Sequence, residues 1–263
     1  MSLKVICYNI LRGGQFEAGN RLGQIIEFLK AQNADLIALF ECDQFEANDF
    51  RIRNVFEREL DMEATIHQTH SKAHITLLFK RGLELKRALG FNRFMYHGIL
   101  GAEFEVKGVP FRLIASHLNP YSSELRLIEA QVLTHIALRS KHSLILGDFN
   151  CPPVGSDIPL KDFKSTFRAR VSNHEGQLDT RSLQHIQNNG FTDLWKSKHP
   201  NEEVGTYPTP LGEKNAEYPF PVRIDYLFGS DFFEKHCSSC EVLEEGLLKQ
   251  TSDHFPVMAE FDW

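Results

Sequence analysis

The sequence predicts a mixed α/β protein built in layers, and three observations indicate this fold class. Apolar segments of five to seven residues, typical of buried strands, alternate with segments whose apolar residues recur at helical spacing. Some strands are apolar throughout, as over residues 36–40, which predicts cover on both faces, whereas others alternate as antiparallel strands do. The 263 residues contain no repeat or linker, so we expect one domain over residues 1–263.

The first third of the chain alternates strictly between the two kinds of segment. Apolar runs predict strands over residues 3–8, 35–40 and 74–80. Residues 21–31 carry apolar side chains at positions 22, 25, 26 and 29, which is helical spacing, and residues 45–60 also fit a helix. This order is typical of a sheet whose strands are connected by helices.

The rest of the chain adds a hairpin, two helices and three strands. Residues 101–106 and 109–117 form the hairpin around Lys107-Gly108. The clearest helix covers residues 122–139, with Ser122 or Ser123 as its cap, and another covers residues 179–188 and stops at Asn189-Gly190. Strands are predicted over residues 143–146, 223–228 and 255–261, and residues 196–221 form a long loop.

Composition excludes several classes of protein. With 42% apolar and 24% charged residues, the chain is neither disordered, collagen-like nor a coiled coil. The longest uninterrupted apolar run is five residues, far short of the roughly 20 that a membrane-spanning helix needs. A formal net charge of −6 disfavours strong, non-specific binding of duplex nucleic acid, which depends on neutralised phosphates.

The five cysteines form no disulfide framework. Cys237 and Cys240 have the spacing of half a zinc site, but no second pair accompanies them, so we interpret them as a chance pair. The sequence opens without a signal-peptide pattern, and we expect a cytoplasmic protein.

Polar residues whose side chains can bind metals, accept protons or donate hydrogen bonds lie near the ends of the predicted strands. Each alone has an ordinary interpretation: Asn9 as a turn residue, Glu41 as an exposed acid, or residues 147–150 as a simple turn. Asp225 is unusual, because a charge within a buried strand needs a partner. Strand ends at one edge of a layered sheet meet in space, where open sheets form their sites. The candidate residues are Asn9, Glu41, His117, Asp148, Asn150, Asp225, Asp253 and His254.

At these positions the sequence resembles the endonuclease/exonuclease/phosphatase superfamily of metal-dependent phosphoesterases. The matches stand in the family's order from residue 8 to residue 254, nearly the whole chain. Each is weak alone, whereas six in order are specific. The resemblance implies a DNase I-like fold, a four-layer sandwich of two packed mixed β-sheets flanked by helices. The motifs are Tyr8-Asn9, Glu41, Ser116-His117-Leu118, Gly147-Asp148-Phe149-Asn150, Arg223-Ile224-Asp225-Tyr226 and Ser252-Asp253-His254.

The resemblance also implies how the site would work. A bound Mg²⁺ or Mn²⁺, which carboxylate and amide oxygens suit, would be held by Glu41, Asn9 and Asp253. Asp148 would orient or deprotonate the attacking water, and which residue takes the proton, Asp148 or His254, stays open.

The remaining implied roles concern the phosphate. Asn150 and His117 would bind it, and His254 would stabilise charge in the transition state. Asp225 would accept a hydrogen bond from His254 and so fix its tautomer. Arg126 is a further phosphate candidate, with a solvated helix face as the equal alternative.

Two departures from the sequence patterns of the superfamily argue against two of its branches, the phosphoinositide phosphatases and the abasic-site endonucleases. Phosphoinositide phosphatases carry a Trp-Cys-Asp-Arg type of segment where this chain has residues 223–226, so that branch is disfavoured. Abasic-site endonucleases have an acidic residue where Leu11 stands and a Tyr near the position of His117. A His there resembles the sphingomyelinase, DNase-I-like and deadenylase-like branches.

We therefore predict a nuclease-like phosphodiesterase whose partner is a phosphate ester, with short or single-stranded nucleic acid as one candidate and no protein partner. A sphingomyelinase-like phospholipid phosphodiesterase and a small-molecule phosphatase are the alternatives. An inactive binding module would have lost Glu41, Asp148 or His254, and none is lost. Aromatic residues of the predicted loops would stack a base or pack the loop onto the body. They are Phe16, Tyr121, Tyr207, Tyr218 and Phe220.

Overall fold

The computed structural model describes residues 2–15 and 19–263. Its strands are β1 Leu3–Asn9, β2 Leu36–Phe40, β3 Met62–His67, β4 Ile75–Lys80, β5 Glu84–Phe91, β6 Ile99–Val106, β7 Val109–Ser116, β8 Ser143–Asp148, β9 Thr192–Asp193, β10 Asp225–Gly229, β11 Cys237–Val242 and β12 Val257–Phe261. Its α-helices are α1 Leu22–Gln32, α2 Ala47–Leu60, α3 Ser123–Ala137, α4 Ser165–Val171, α5 Arg181–Asn188, α6 Leu194–Lys198 and α7 Asp231–His236.

The strands form two six-stranded sheets. One has the order β11-β12-β1-β2-β4-β3 and the other the order β5-β6-β7-β8-β10-β9. Each is mixed, because β1 and β2 pair in parallel in the first sheet and β7 and β8 do so in the second, while the remaining pairs are antiparallel. The expected mixed sheets are confirmed.

Three apolar clusters hold the layers together. The largest lies between the sheets and takes side chains from both, among them Val5, Phe40, Leu113 and Leu146. A second cluster packs α1 and α2 on the first sheet, and a third packs α3 and α5 on the second. The order helix, sheet, sheet, helix is the predicted four-layer sandwich.

Most predicted elements are observed with ends shifted by one or two residues. The Ser122 hydroxyl accepts from the Leu125 N–H and caps α3. Lys107 and Gly108 both have positive φ, as the tight turn of the β6–β7 hairpin requires. The start of α2 differs, because the helix begins at Ala47 instead of Phe45. Residues 48–50 have left-handed backbone angles, so the regular right-handed part of α2 follows them.

Four strands, β3, β5, β9 and β11, and three short helices, α4, α6 and α7, were not predicted from the sequence. Strand β5 is exposed along most of its length at the edge of its sheet, so it carries Glu84, Lys86 and Arg87 where an apolar run was sought. Within the described residues, no helix is long and apolar enough to cross a membrane.

Candidate active site

The candidate site lies where the ends of five strands from both sheets meet. β1 and β2 pack against β8 and β10 across the core, so the carboxyl ends of β1, β2 and β8 come together. β10 runs antiparallel to β8 with Asp225 opposite Asp148, which brings the start of β10 to the same place. His117 directly follows β7, the parallel neighbour of β8.

Asn9 links the two sheets through its side-chain amide. Its Nδ2 donates to Glu41 Oε1 at 3.1 Å and to Asp148 Oδ2 at 3.1 Å, while its Oδ1 accepts from the Leu11 N–H at 3.0 Å. The residue is fully buried. One amide therefore fixes the spacing of two carboxylates that belong to different sheets.

Carboxylates crowd the side of the site next to Glu41. Glu41 has a positive φ of 56°, and its Oε2 accepts from the Arg12 N–H at 3.1 Å. Burial raises the pKa of Asp253 to about 6; His254 opposes this rise, whereas Glu41 and Asp148 add to it. Burial and the neighbouring Glu41 likewise raise the pKa of Asp43 to about 6. Asp43, which follows the end of β2 by three residues, was not among the residues predicted from the sequence.

This donor set fits a hard divalent cation. Glu41 and Asp253 supply carboxylate oxygens beside the Asn9 amide, and Mg²⁺ and Mn²⁺ prefer oxygen ligands. Burial is the main cause of the raised pKa of Asp253, and the neighbouring carboxylates Glu41 and Asp148 add a repulsion that a cation would relieve. Asn9 is hydrogen-bonded to Glu41, and Glu41 is near enough to Asp253 to raise its pKa; ligation of a metal by these three residues stays a prediction.

Among the described residues, the His, Cys, Asp and Glu side chains that lie close enough together to share a metal are Asp148, Asp225 and His254, whose ligand atoms lie within 4.8 Å of one another. His254 Nδ1 is hydrogen-bonded to Asp225 Oδ2 at 2.8 Å, so one ligand atom of each residue is already engaged with the other. Burial lowers the pKa of His254, but Asp225 and Asp148 outweigh burial and hold it well above its usual range. We therefore interpret this group as a hydrogen-bonded relay. Among the described residues, Cys237 and Cys240 belong to no such metal-binding group.

Asp148 is the centre of the relay. Its Oδ1 accepts from the Asn150 N–H at 3.0 Å. Its Oδ2 lies 3.3 Å from His117 Nε2 and 3.7 Å from His254 Nε2. Burial raises the pKa of Asp148, and the two imidazoles oppose that rise. A buried carboxylate flanked by two histidines is suited to hold and exchange a proton.

Hydrogen bonds, some of them to residues distant in sequence, fix the loop at residues 252–254 and the start of β10. Ser252 Oγ donates to the Asn9 carbonyl at 2.6 Å and accepts from the His254 N–H at 3.2 Å. Thr206 Oγ1 accepts from the Asp225 N–H at 3.1 Å. The Tyr207 ring packs against the His254 ring with centroids 4.9 Å apart. These contacts orient His254 towards both of its carboxylates.

His97 is a neighbour of the site that the sequence analysis missed. Its ring stacks on His117 with centroids 4.0 Å apart and planes 14° apart. Burial lowers its pKa to about 2, so it stays neutral, and its Nδ1 lies 2.7 Å from Ser71 Oγ. The available signal was indirect: His97 precedes β6, whose first residue, Ile99, pairs with Ser116 at the end of β7.

The remaining predicted residues divide between the site and its scaffold. Asn150 has a positive φ of 48°, and its Nδ2 donates to the Leu118 carbonyl at 3.0 Å, so it closes the turn that carries Asp148. Arg126 is buried, and its guanidinium donates to the carbonyls of Asn119 at 2.9 Å and Arg170 at 2.6 Å. The burial of Arg126 shows that a solvated helix face is wrong, and its two bonds favour a structural role; the phosphate contact stays a prediction.

The aromatic loop residues also divide. Tyr218 and Phe220 pack with Phe163 in a buried cluster under the long loop, whereas Tyr121 is exposed. Phe16 lies outside the described residues. The packing interpretation therefore applies to Tyr218 and Phe220, and Tyr121 stays available for contact with a substrate.

Comparisons with known proteins agree with this geometry. The model of the Endonuclease/Exonuclease/phosphatase family matches residues 6–254. An AP endonuclease from Archaeoglobus fulgidus is 18% identical, with a TM-score of 0.73 and coverage of 99% of this chain and 100% of that chain. D. rerio TDP2, solved with a single-strand DNA product, is 14% identical, with a TM-score of 0.72 and coverage of 100% and 99%.

The catalytic domain of human Nocturnin, solved with a bound sulfate anion, is 16% identical, with a TM-score of 0.70 and coverage of 99% of this chain and 93% of that chain. A comparison with curated proteins found no match. The similarity to solved structures establishes the fold, and the family model accounts for nearly all of the sequence. The chain therefore belongs to the endonuclease/exonuclease/phosphatase family, whose members are phosphoesterases.

Proposed function

We propose that the protein is a Mg²⁺- or Mn²⁺-dependent phosphodiesterase that acts on nucleotide-containing substrates. One observation carries the proposal: the Asn9 amide joins Glu41, on the metal-binding side, to Asp148, which two histidines flank. Hydrolysis of a phosphate ester needs an aligned water and relief of charge on the phosphoryl oxygens. The metal-binding side suits the relief of charge on the phosphoryl oxygens, and Asp148 with its two histidines suits the alignment of the water.

The proposed metal ligands are Glu41 and Asp253, with Asn9 orienting Glu41. A bound divalent cation supplies Lewis-acid stabilisation of the phosphoryl and leaving oxygens. Glu41 and Asp253 also keep that part of the site negative, so it binds a cation in preference to a second anion.

Asp148 is the proposed group that orients the attacking water and accepts its proton. Asn9 and the Asn150 N–H hold both of its oxygens in place. His254, kept protonated by Asp225, and His117 donate hydrogen bonds to the phosphoryl oxygens as charge develops there. The remaining Asn150 amide hydrogen is a further donor to the phosphate.

Support for a nucleotide-containing substrate comes from the structural neighbours, one of which was solved with a single-strand DNA product. The net charge of −6 favours a short or single-stranded partner over a long duplex. The Leu11 and His117 positions argue against an abasic-site endonuclease, despite the shared fold.

The test is hydrolysis of bis-p-nitrophenyl phosphate and p-nitrophenyl phosphate, each with Mg²⁺, with Mn²⁺ and with EDTA, by the wild type and by His254→Ala. We expect cleavage of the diester that needs both the metal and His254. Cleavage of the monoester alone would assign a phosphatase instead. No turnover of either compound or of thymidine 5′-p-nitrophenyl phosphate would contradict the proposal.

One observation favours a second candidate, a phospholipid phosphodiesterase. A cavity of about 650 Å³ lies between β5 and α3, and its lining includes Leu89, Phe91, Phe94, Val132 and Ile136. Such a groove suits an acyl chain. Metal-dependent turnover of sphingomyelin or phosphatidylcholine in mixed micelles, without turnover of nucleotide diesters, would assign this function.

A further inference from the structure

We propose that Tyr96 and Tyr121 form an aromatic platform directly beside the candidate active site, on which an unpaired nucleobase of a single-stranded nucleic acid stacks against one of the two perpendicular rings. The relevance of this platform to catalysis rests on the phosphodiesterase function proposed above. The sequence placed Tyr121 among several loop aromatics and did not single out Tyr96.

A continuous series of ring contacts connects the platform to the relay. The rings of Tyr121 and Tyr96 meet edge to face with centroids 5.4 Å apart. Tyr96 meets His97 at 4.6 Å, and His97 stacks on His117 at 4.0 Å. His117 Nε2 in turn lies 3.3 Å from Asp148 Oδ2. A base on the platform would therefore belong to a nucleotide close to the reacting phosphate.

The two tyrosines are exposed although their backbones are rigidly held. Tyr96 is 41% exposed and Tyr121 is 52% exposed. Glu129, buried on α3, accepts from the Tyr96 N–H and from the Asn119 N–H, both at 2.6 Å. Asn119 Oδ1 then accepts from the Tyr121 N–H at 2.8 Å. One carboxylate thus fixes both loops, so stacking costs little conformational entropy.

Arg126 completes the support from the same face of α3. Its guanidinium donates to the carbonyl of Asn119 and to the carbonyl of Arg170 in α4. The Arg170 guanidinium lies over the Tyr121 ring, 5.0 Å from its centroid, and pairs with Glu217. The cation covers one face of Tyr121, and half of the residue remains accessible to a ligand. Charged residues this deeply buried serve here to hold two exposed aromatic rings.

The chemistry of the platform favours an unpaired base over other occupants. Aromatic side chains stack on the π-face of any base, a contact worth roughly 1–3 kcal/mol. A base within a duplex has its faces covered by its neighbours, so the occupant must be single-stranded. The tyrosine hydroxyls and the adjacent ion pair make the surface less apolar than the groove lined by Leu89 and Phe91.

The experiment measures binding by fluorescence anisotropy in EDTA, which prevents metal-dependent cleavage. The probes are a labelled oligothymidylate and an oligomer of equal length and charge that carries no bases. We expect the wild type to bind the oligothymidylate at least about tenfold more tightly than the base-free oligomer. Tyr121→Leu and Tyr96→Leu should each reduce this preference, whereas Tyr121→Phe should retain it.

Phe94→Leu is the matched control, because Phe94 is an exposed aromatic residue of the same loop that lines the other groove. It should keep the wild-type preference. Equal affinity of the wild type for the two oligomers, or an unchanged preference in both leucine variants, would overturn the platform. If the protein preferred the oligomer with bases but hydrolysed no diester, the proposed function would be contradicted and the platform would be supported. If it hydrolysed a diester but showed no preference for bases, the platform would be contradicted and the proposed function would be supported.

Discussion

At the scale of single residues, Asp148 has the most constrained surroundings of the site. Both of its oxygens are engaged, by Asn9, by the Asn150 N–H and by two imidazoles, and the residue is 2% exposed. Burial raises its pKa, so the ionised form is costly to keep in the native state. A protein retains such a group where its proton affinity is useful.

Asp148→Asn tests that role directly. The amide has nearly the same volume but cannot accept a proton, so we expect kcat for a phosphodiester to fall by about 10²- to 10⁴-fold. Stability should stay equal or rise, because a buried charge is removed. Steady-state kinetics and thermal unfolding measure both quantities. Asp231→Asn, at an exposed position of α7, is the control. Near-normal turnover by Asp148→Asn would remove the residue from the mechanism.

Glu129 gives a second residue-scale expectation, for the pH dependence of stability. Burial raises its pKa from 4.5 to about 7, although the Tyr96 and Asn119 N–H groups and Arg126 oppose the rise. Between these pH values the native state binds more protons than the unfolded chain, so stability falls as the pH rises from about 4.5 to about 7.

Glu129→Gln should remove this component. We subtract the free energy of unfolding of the variant from that of the wild type. This difference should decrease as the pH rises from about 4.5 to about 7, by at most about 3 kcal/mol. Urea unfolding at several pH values measures it. Gln131→Ala, at an exposed position of the same helix and without an ionisable side chain, should show a constant difference. A constant difference for Glu129→Gln as well would contradict the assignment.

At the scale of elements, the site depends on how closely β7 and β8 approach each other. A Cβ on Gly147 would lie 1.7 Å from the main-chain oxygen of Ser116, so only glycine allows the contact. Ser116 precedes His117, and Gly147 precedes Asp148. The glycine therefore sets the separation of His117 and Asp148.

Gly147→Ala should push these strand ends apart. We expect a loss of about 1–3 kcal/mol or more in stability and a fall in kcat, because the 3.3 Å spacing of His117 and Asp148 widens. Gly101→Ala is the matched control, since a Cβ there meets its nearest neighbour at 3.8 Å. Equal stability and activity for the two variants would show that the strands accommodate the methyl group.

The elements also show which parts of a fold a sequence reveals. β1, β2 and β8 are buried on both faces, so their apolar runs were read correctly. β3, β5 and β11 are edge strands whose residues are partly exposed to solvent. They therefore lack the continuous apolar runs from which the other strands were predicted. Strand pairing at an edge is decided by hydrogen bonding to a neighbour, which leaves little trace in hydropathy.

At the scale of the whole molecule, the packing of two sheets explains why the site was partly predictable. Glu41, which follows β2, and Asp148, the last residue of β8, were found because the apolar runs of buried strands mark where those strands end. His97 and Asp43 escaped, because their positions depend on pairing and turns that no apolar run marks. The scaffold role of Arg126 depends on carbonyl partners in distant loops, and no residue type signals such a role.

The junction of the sheets also leads to an expectation for global stability. Glu41, Asp253 and Asp148 bring carboxylates from both sheets to one place, and their repulsion adds to the burial that raises the pKa of Asp253. A divalent cation bound there stabilises only the folded state, by about 2.7 kcal/mol at 100 times its dissociation constant. Mg²⁺ should therefore raise Tm, and EDTA should reverse the rise.

Glu41→Gln should need more Mg²⁺ than the wild type for the same rise in Tm and for the same activity. Glu245→Gln, outside the site, should behave as the wild type. If the Mg²⁺ titration of Glu41→Gln matched that of the wild type, Glu41 would not be a direct ligand, because removing a carboxylate from the metal's coordination sphere must weaken binding.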